Sequence, residues 1–160
     1  MREILFRGKR KDNGEWIEGS LLVLDADSGY YFITEPFESA STLPVRDLIY
    51  NHTHLVDPET VCQFTGLTDK EGNKIWEHDV CQYIETTTKG TVIVSETFIV
   101  KYGRHRETTG TNLGFYIEWL EEDDYRTDIC FWAENREIEV IGNIFDNPEL
   151  VKGGGADDPE

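Results

Sequence analysis

Four histidines, three cysteines and a surplus of carboxylates are the side chains here that could carry chemistry. His52-Thr53-His54 is the strongest metal candidate. On an extended segment, residues two apart project to one side, and Asp57 or Glu59 would add oxygen to two imidazoles. That set still falls short of three or four convergent ligands, and neither a His-Glu-x-x-His nor a Cys-x-x-Cys spacing occurs. Ordinary surface histidines are the simpler reading. Cys62, Cys81 and Cys130 would each need a base, such as His78 or His105, to act as nucleophiles. Nothing in their spacing supplies one, and a thiol in a strand is ordinarily a small hydrophobe. Glu121, Glu122, Asp123 and Asp124 read as a solvated loop. Gly8-Lys9-Arg10-Lys11 lacks the glycine spacing and the following helix of a phosphate loop. The expectation is a non-enzymatic chain with no catalytic residue, no cofactor and no bound metal.

The elements that would have to position these residues are strands. Apolar residues recur with period two, and no segment shows a convincing helical period. Strands are expected around Ile4 and Phe6, then over Trp16–Leu24, Tyr30–Thr34, Thr60–Phe64, Lys74–Trp76, Val80–Glu85, Thr91–Lys101, Phe115–Leu120, Asp128–Trp132 and Glu137–Ile144. Lys11-Asp12-Asn13-Gly14 reads as a hairpin turn, since Asn-Gly tolerates the positive φ such turns require. Residues 35–57 are less regular, broken by Pro36 and Pro44 and followed by Pro58, with one helical turn near Val45–Ile49. This divides the chain into an N-terminal β-meander or hairpin unit (1–55), a β-rich core (56–150) and a disordered tail (151–160). Many short strands with glycine turns suggest a small barrel or sandwich. Phe6-Arg7-Gly8, then Gly14 and Ile17, is echoed by Phe64-Thr65-Gly66, then Gly72 and Ile75. Duplication and shared hairpin chemistry explain that echo equally well.

Charge bounds the partners. The 160 residues carry 32 acidic and 15 basic side chains, a formal net charge of −17. A field of that sign repels phosphate backbones and anionic lipid. The distribution is uneven: Arg2, Arg7, Lys9, Arg10 and Lys11 make the start basic, and Glu118 to Asp128 is densely acidic. No run approaches the ~18 apolar residues of a membrane span, and the start has no apolar core of a signal peptide. Three widely spaced cysteines do not suggest a disulfide framework, so a reducing cytoplasm fits. The Asn51-His52-Thr53 sequon then reads as chance.

Three blocks carry a resemblance. The first is Arg2-Glu3-Ile4-Leu5-Phe6-Arg7-Gly8-Lys9-Arg10. The second runs from Val56-Asp57-Pro58-Glu59-Thr60-Val61 through Thr65-Gly66-Leu67-Thr68-Asp69 to Ile75-Trp76-Glu77-His78-Asp79-Val80. The third is Glu139-Val140-Ile141-Gly142-Asn143-Ile144-Phe145-Asp146-Asn147-Pro148-Glu149-Leu150. Together they resemble the YopX family. The resemblance implies a phage or prophage protein of a bacterial host, an SH3-like β-barrel over the C-terminal side, and no established reaction. Cys62 and His78 stand where the family has glycine, so a positive φ at either would carry strain. Within these blocks Glu77-His78-Asp79-Val80 resembles a turn in which an acidic residue can bond nearby backbone amides, and Gly142-Asn143 lets a strand bend.

The combined expectation is an all-β accessory protein of the bacterial host cytoplasm that binds a phage or host protein or itself, most simply as a homo-oligomer. Basic and acidic segments of opposite sign would steer copies together. Two other readings stay open: a nucleic-acid-associated small barrel, disfavoured by charge, and an acidic mimic of nucleic acid that inhibits a host factor. A small enzyme of phage metabolism would require a deep pocket with convergent polar groups.

Overall fold

The computed structural model describes residues 3–25, 27, 29–37, 42–107, 110–120, 126–135 and 137–151. The chain forms two compact units, Met1–Phe64 and Thr65–Glu160. The expected tail, 151–160, lies almost wholly outside the described residues.

In the first unit, β1 (Phe6–Lys9), β2 (Trp16–Asp25), β3 (Tyr30–Thr34), β4 (Thr53–Val56) and the start of β5 (Cys62–Thr68) pair antiparallel in the order β4-β3-β2-β1-β5. The Lys11–Gly14 turn forms as its chemistry dictates: Gly14 N–H bonds Arg10 O, and Gly14 has φ 75°. Register places Leu21, Ile33 and His54 on one face, and Leu22, Phe32 and Leu55 on the other. A small core of Ile17, Ile33 and Val56, with Phe6, Leu21, Tyr31 and Val61 against it, fills the inner side. Gly8 sits against this core, where a Cβ would stand 3.2 Å from both Ile33 and Val56, so it is a packing glycine.

The expected helical turn is a full helix, α1 (Val45–His52), opening just after Pro44, whose carbonyl accepts from Asp47 and Leu48 N–H. The chain passes straight from α1 into β4. His52 therefore ends a helix while His54 lies in a strand, and the extended geometry expected of the pair does not exist. The strand expected over Thr60–Phe64 begins later. Pro58–Thr60 forms a 3₁₀ turn capped by the Asp57 carboxylate, and β5 follows.

The second unit holds the end of β5, then β6 (Lys74–Trp76), β7 (Asp79–Thr86), β8 (Val92–Glu107), β9 (Gly110–Trp119), β10 (Arg126–Asp128), helix α2 (Ile129–Asn135) and β11 (Ile138–Asn143). β5 pairs with β6, and the remaining strands form an antiparallel sheet in the order β10-β9-β8-β7-β11. Ile75, Cys81, Phe98, Val100, Ile117, Ile129 and Ile138 are its buried core.

Two expectations are corrected here. The strand read over Asp128–Trp132 is mostly α2. Ile129, Trp132 and Ala133 all meet the core, which is the i, i+3, i+4 spacing of a helix, and Asp128 Oδ1 accepts Cys130 N–H at its start. The closed SH3-like barrel expected over 56–150 is not formed by the described strands; the fold is mostly β, in open antiparallel sheets. The edge strands β10 and β11 do not pair with each other. The intervening helix α2 lays its apolar side on the core and covers it, in place of a closing strand pair. Among the described residues, no helix is long and apolar enough to cross a membrane.

Candidate functional site

The histidine pair singled out by sequence is dispersed. His54 Nε2 lies 3.0 Å from Glu35 Oε2, while the His52 ring packs against Phe37. Asp57 is occupied with capping Glu59 N–H. All three cysteines are free thiols. Cys62 and Cys81 are buried and Cys130 is exposed on α2. The Cys62 thiol donates to Thr60 O, the His78 ring meets Phe145 edge-on, and the His105 ring lies against Tyr116. Glu121–Asp124 lie outside the described residues. The basic segment is folded into its surroundings: Arg7 and Lys9 stand over the Trp16 ring, and Arg10 pairs with Asp12.

A different group converges. His105 and Glu107 lie on β8, and Asp128 ends β10. Their ligand atoms all lie within 4.8 Å of one another. Alternation and strand pairing put all three on one face of the sheet. On β8, Lys101, Gly103, His105 and Glu107 alternate onto one face. Tyr116 on β9 is opposite Lys101 on one side and Asp128 on the other. Gly103 faces Gly114 across the pair, and this bare stretch admits the Tyr116 ring, which lies at ring–ring distance 5.1 Å from His105.

His105 is only 2% exposed. Its Nδ1 is 3.5 Å from Gly103 O, a long contact. Its Nε2 stands 3.3 Å from Glu107 Oε1, close enough for an ion pair but off the direction of a hydrogen bond, and Nε2 is buried without one. A buried polar atom left so costs about 1–3 kcal/mol. Glu107 is held by two further bonds: Oε1 accepts Asp128 N–H at 2.8 Å and Oε2 accepts Asn112 Nδ2 at 3.0 Å. The arrangement offers one imidazole nitrogen and two carboxylates, a donor set for a divalent cation. The local signal for it was confined to His105-Arg106-Glu107, whose alternation puts imidazole and carboxylate on one side of a strand.

On the first unit, Phe32, Ile49, Tyr50 and His54 line an open groove of about 670 Å³ between β3, β4 and α1. Tyr50 is 83% exposed and Leu22, beside Phe32 in the sheet, 45%.

The family model of the YopX protein matches residues 5–152. The chain belongs to the YopX family. The crystal structure of protein EF1440 from Enterococcus faecalis is similar in fold. Its TM-score is 0.53 at 21% identity, covering 94% of this chain and 99% of that one. No curated protein sequence matches significantly.

The residues that mark this chain as YopX-like serve its turns. Asp69 Oδ1 accepts Glu71 and Asn73 N–H, and Oδ2 accepts Asn73 Nδ2 and Val140 N–H. Burial pushes this carboxyl up, but the hydrogen bonds from Asn73, Val140 and Glu71 outweigh it, and its pKa lies below the ordinary value. Lys70 reinforces the tie through Glu139, at 2.6 Å, which raises its pKa. Asp79, fully buried, accepts Trp76 N–H at 2.8 Å and so is the acidic residue of the Glu77–Val80 turn that bonds a backbone amide. Of the two glycine positions replaced here, His78 has φ 66°, the strained case, and Cys62 sits in extended β5.

Proposed function

We propose that this YopX-family chain is a phage- or prophage-encoded accessory protein of the bacterial host cytoplasm. It acts without catalysis, through protein contact, and its first partner is a second copy of itself. The observation that supports this reading is the apolar outer face of the first unit. Leu22, Phe32 and Leu55 lie in register across β2, β3 and β4, and Ile49 and Tyr50 on the neighbouring α1 are exposed. A face of this kind, flanked by Arg46, suits a protein surface better than solvent.

Light scattering at micromolar concentration and ~150 mM salt tests it. An oligomer that dissociates when Ile49 and Tyr50 are both changed to glutamate is the expected result. The doubly changed positions are exposed, so the fold survives. A constant mass of 18.5 kDa for the unaltered chain across a tenfold dilution overturns the reading. Changing Arg10 and Lys11 to glutamate reads out the electrostatic contribution: steering by opposite charge predicts a lower association rate in that variant.

A further inference from the structure

We propose that His105, Glu107 and Asp128 form a site for a divalent first-row transition ion, bound through His105 Nε2 and one oxygen from each carboxylate. This goes beyond the contact function above and does not depend on it. It also departs from the metal-free expectation, which weighed the histidines of the first unit.

Burial is the first reason. Strand alternation puts His105 with Lys101 and Glu107, on the face opposite Phe98 and Val100 of the core. A histidine there would ordinarily be solvated, yet its side chain has no exposed surface. Its tautomer is the second. Nδ1 faces a carbonyl, which can only accept, so the proton belongs on Nδ1 and Nε2 presents a lone pair. Metal-bound histidines are commonly oriented by such a bond from the other ring nitrogen. A plain His–Glu ion pair would instead need an Nε2 proton aimed at the carboxylate, and that hydrogen bond is not made.

Distance is the third reason. Two ligands each ~2.1 Å from one ion, at 90–110° to each other, stand about 3.0–3.4 Å apart. His105 Nε2 and Glu107 Oε1 are 3.3 Å apart. The widest spread in the trio, at most 4.8 Å, needs a closing movement of up to about 1.4 Å, shared between two side chains, to fit a single ion. The supports are also in place. Glu107 is fixed by Asp128 N–H and Asn112, and Asp128 Oδ1 by Cys130 N–H, which leaves Oδ2 of Asp128 for the ion. One imidazole and two carboxylates make a borderline-hard set, which suits Zn²⁺ or Mn²⁺ better than a thiolate-preferring ion.

The test uses the full chain, treated with chelator, dialysed and titrated with ZnCl₂ by calorimetry at ~150 mM NaCl. One ion per chain is expected. Asp128→Asn and His105→Gln should each weaken binding at least ~10-fold. Asparagine caps a helix as well as aspartate, so Asp128→Asn keeps α2 and its fold can be verified by circular dichroism. His54→Gln should bind like the unaltered protein. Absence of stoichiometric binding overturns the proposal. So does equal binding by all variants, which would mark the zinc as adventitious on an acidic surface.

Discussion

The Asp69 carboxylate ties the Asp69–Asn73 turn to β11. Three backbone N–H groups and one side-chain amide bond this carboxylate, and Val140 N–H among them belongs to β11, far along the chain. Asp69→Ala would strand those donors in a site only 7% exposed, at a cost of about 3 kcal/mol, measurable as a lower urea midpoint. The pH dependence follows from the depressed pKa. A carboxyl held below its ordinary value of 3.8 contributes stability that is present above that value and lost as pH falls through the folded one. The unaltered protein should therefore lose stability faster than Asp69→Asn below about pH 4. Equal slopes for the two would remove Asp69 from the account.

At the scale of an element, β11 depends on one residue with no side chain. Its register against β7 slips between Val140 and Gly142, the bend that Gly142-Asn143 was expected to allow. A Cβ at Gly142 would run into the Asn147 amide and would stand 2.9 Å from Leu150 Cδ1. The Asn147 amide is not idle, because its Oδ1 accepts Asn143 N–H. Gly142→Ala should destabilise by about 2 kcal/mol through overpacking, read as a lowered urea midpoint. A change below about 0.5 kcal/mol would mean that the Asn147–Leu150 turn moves aside freely.

For the whole molecule, the decisive quantity is where the few cations sit. Arg10 is paired with Asp12, Arg46 with Asp47, Lys70 with Glu139 and Lys101 with Glu118, and Arg7 and Lys9 lie over Trp16. A chain at −17 with these six of its 15 cations engaged has little positive field to offer a phosphate backbone. Duplex DNA should show no binding at ~150 mM salt in a fluorescence anisotropy titration up to ~10 µM protein. Micromolar affinity that weakens steeply with salt would revive the nucleic-acid reading.

What the sequence determined by itself is local or global, with little between. The Lys11–Gly14 turn, β3 and β6 follow from short-range backbone chemistry and alternation, and the marker blocks identify a YopX-family chain without any coordinates. That an acidic residue of the Glu77–Val80 turn bonds backbone was legible because such a contact is local, three residues from Asp79 to Trp76, but the choice of Asp79 over Glu77 was not. Where two periodicities fit a short window, sequence was ambiguous. In Ile129–Ala133 a helix and a strand both place apolar residues inward, and only contact with the core separates them. The His105, Glu107 and Asp128 cluster belongs wholly to tertiary structure. It needs β9 to lie between β8 and β10 in a register that makes Tyr116 opposite both Lys101 and Asp128, which puts Asp128 on the same face as His105 and Glu107. Composition and spacing do not encode that register. It is set by which faces of three strands can bury their apolar side chains together, and a slip of one residue would turn every ligand to the other side of the sheet.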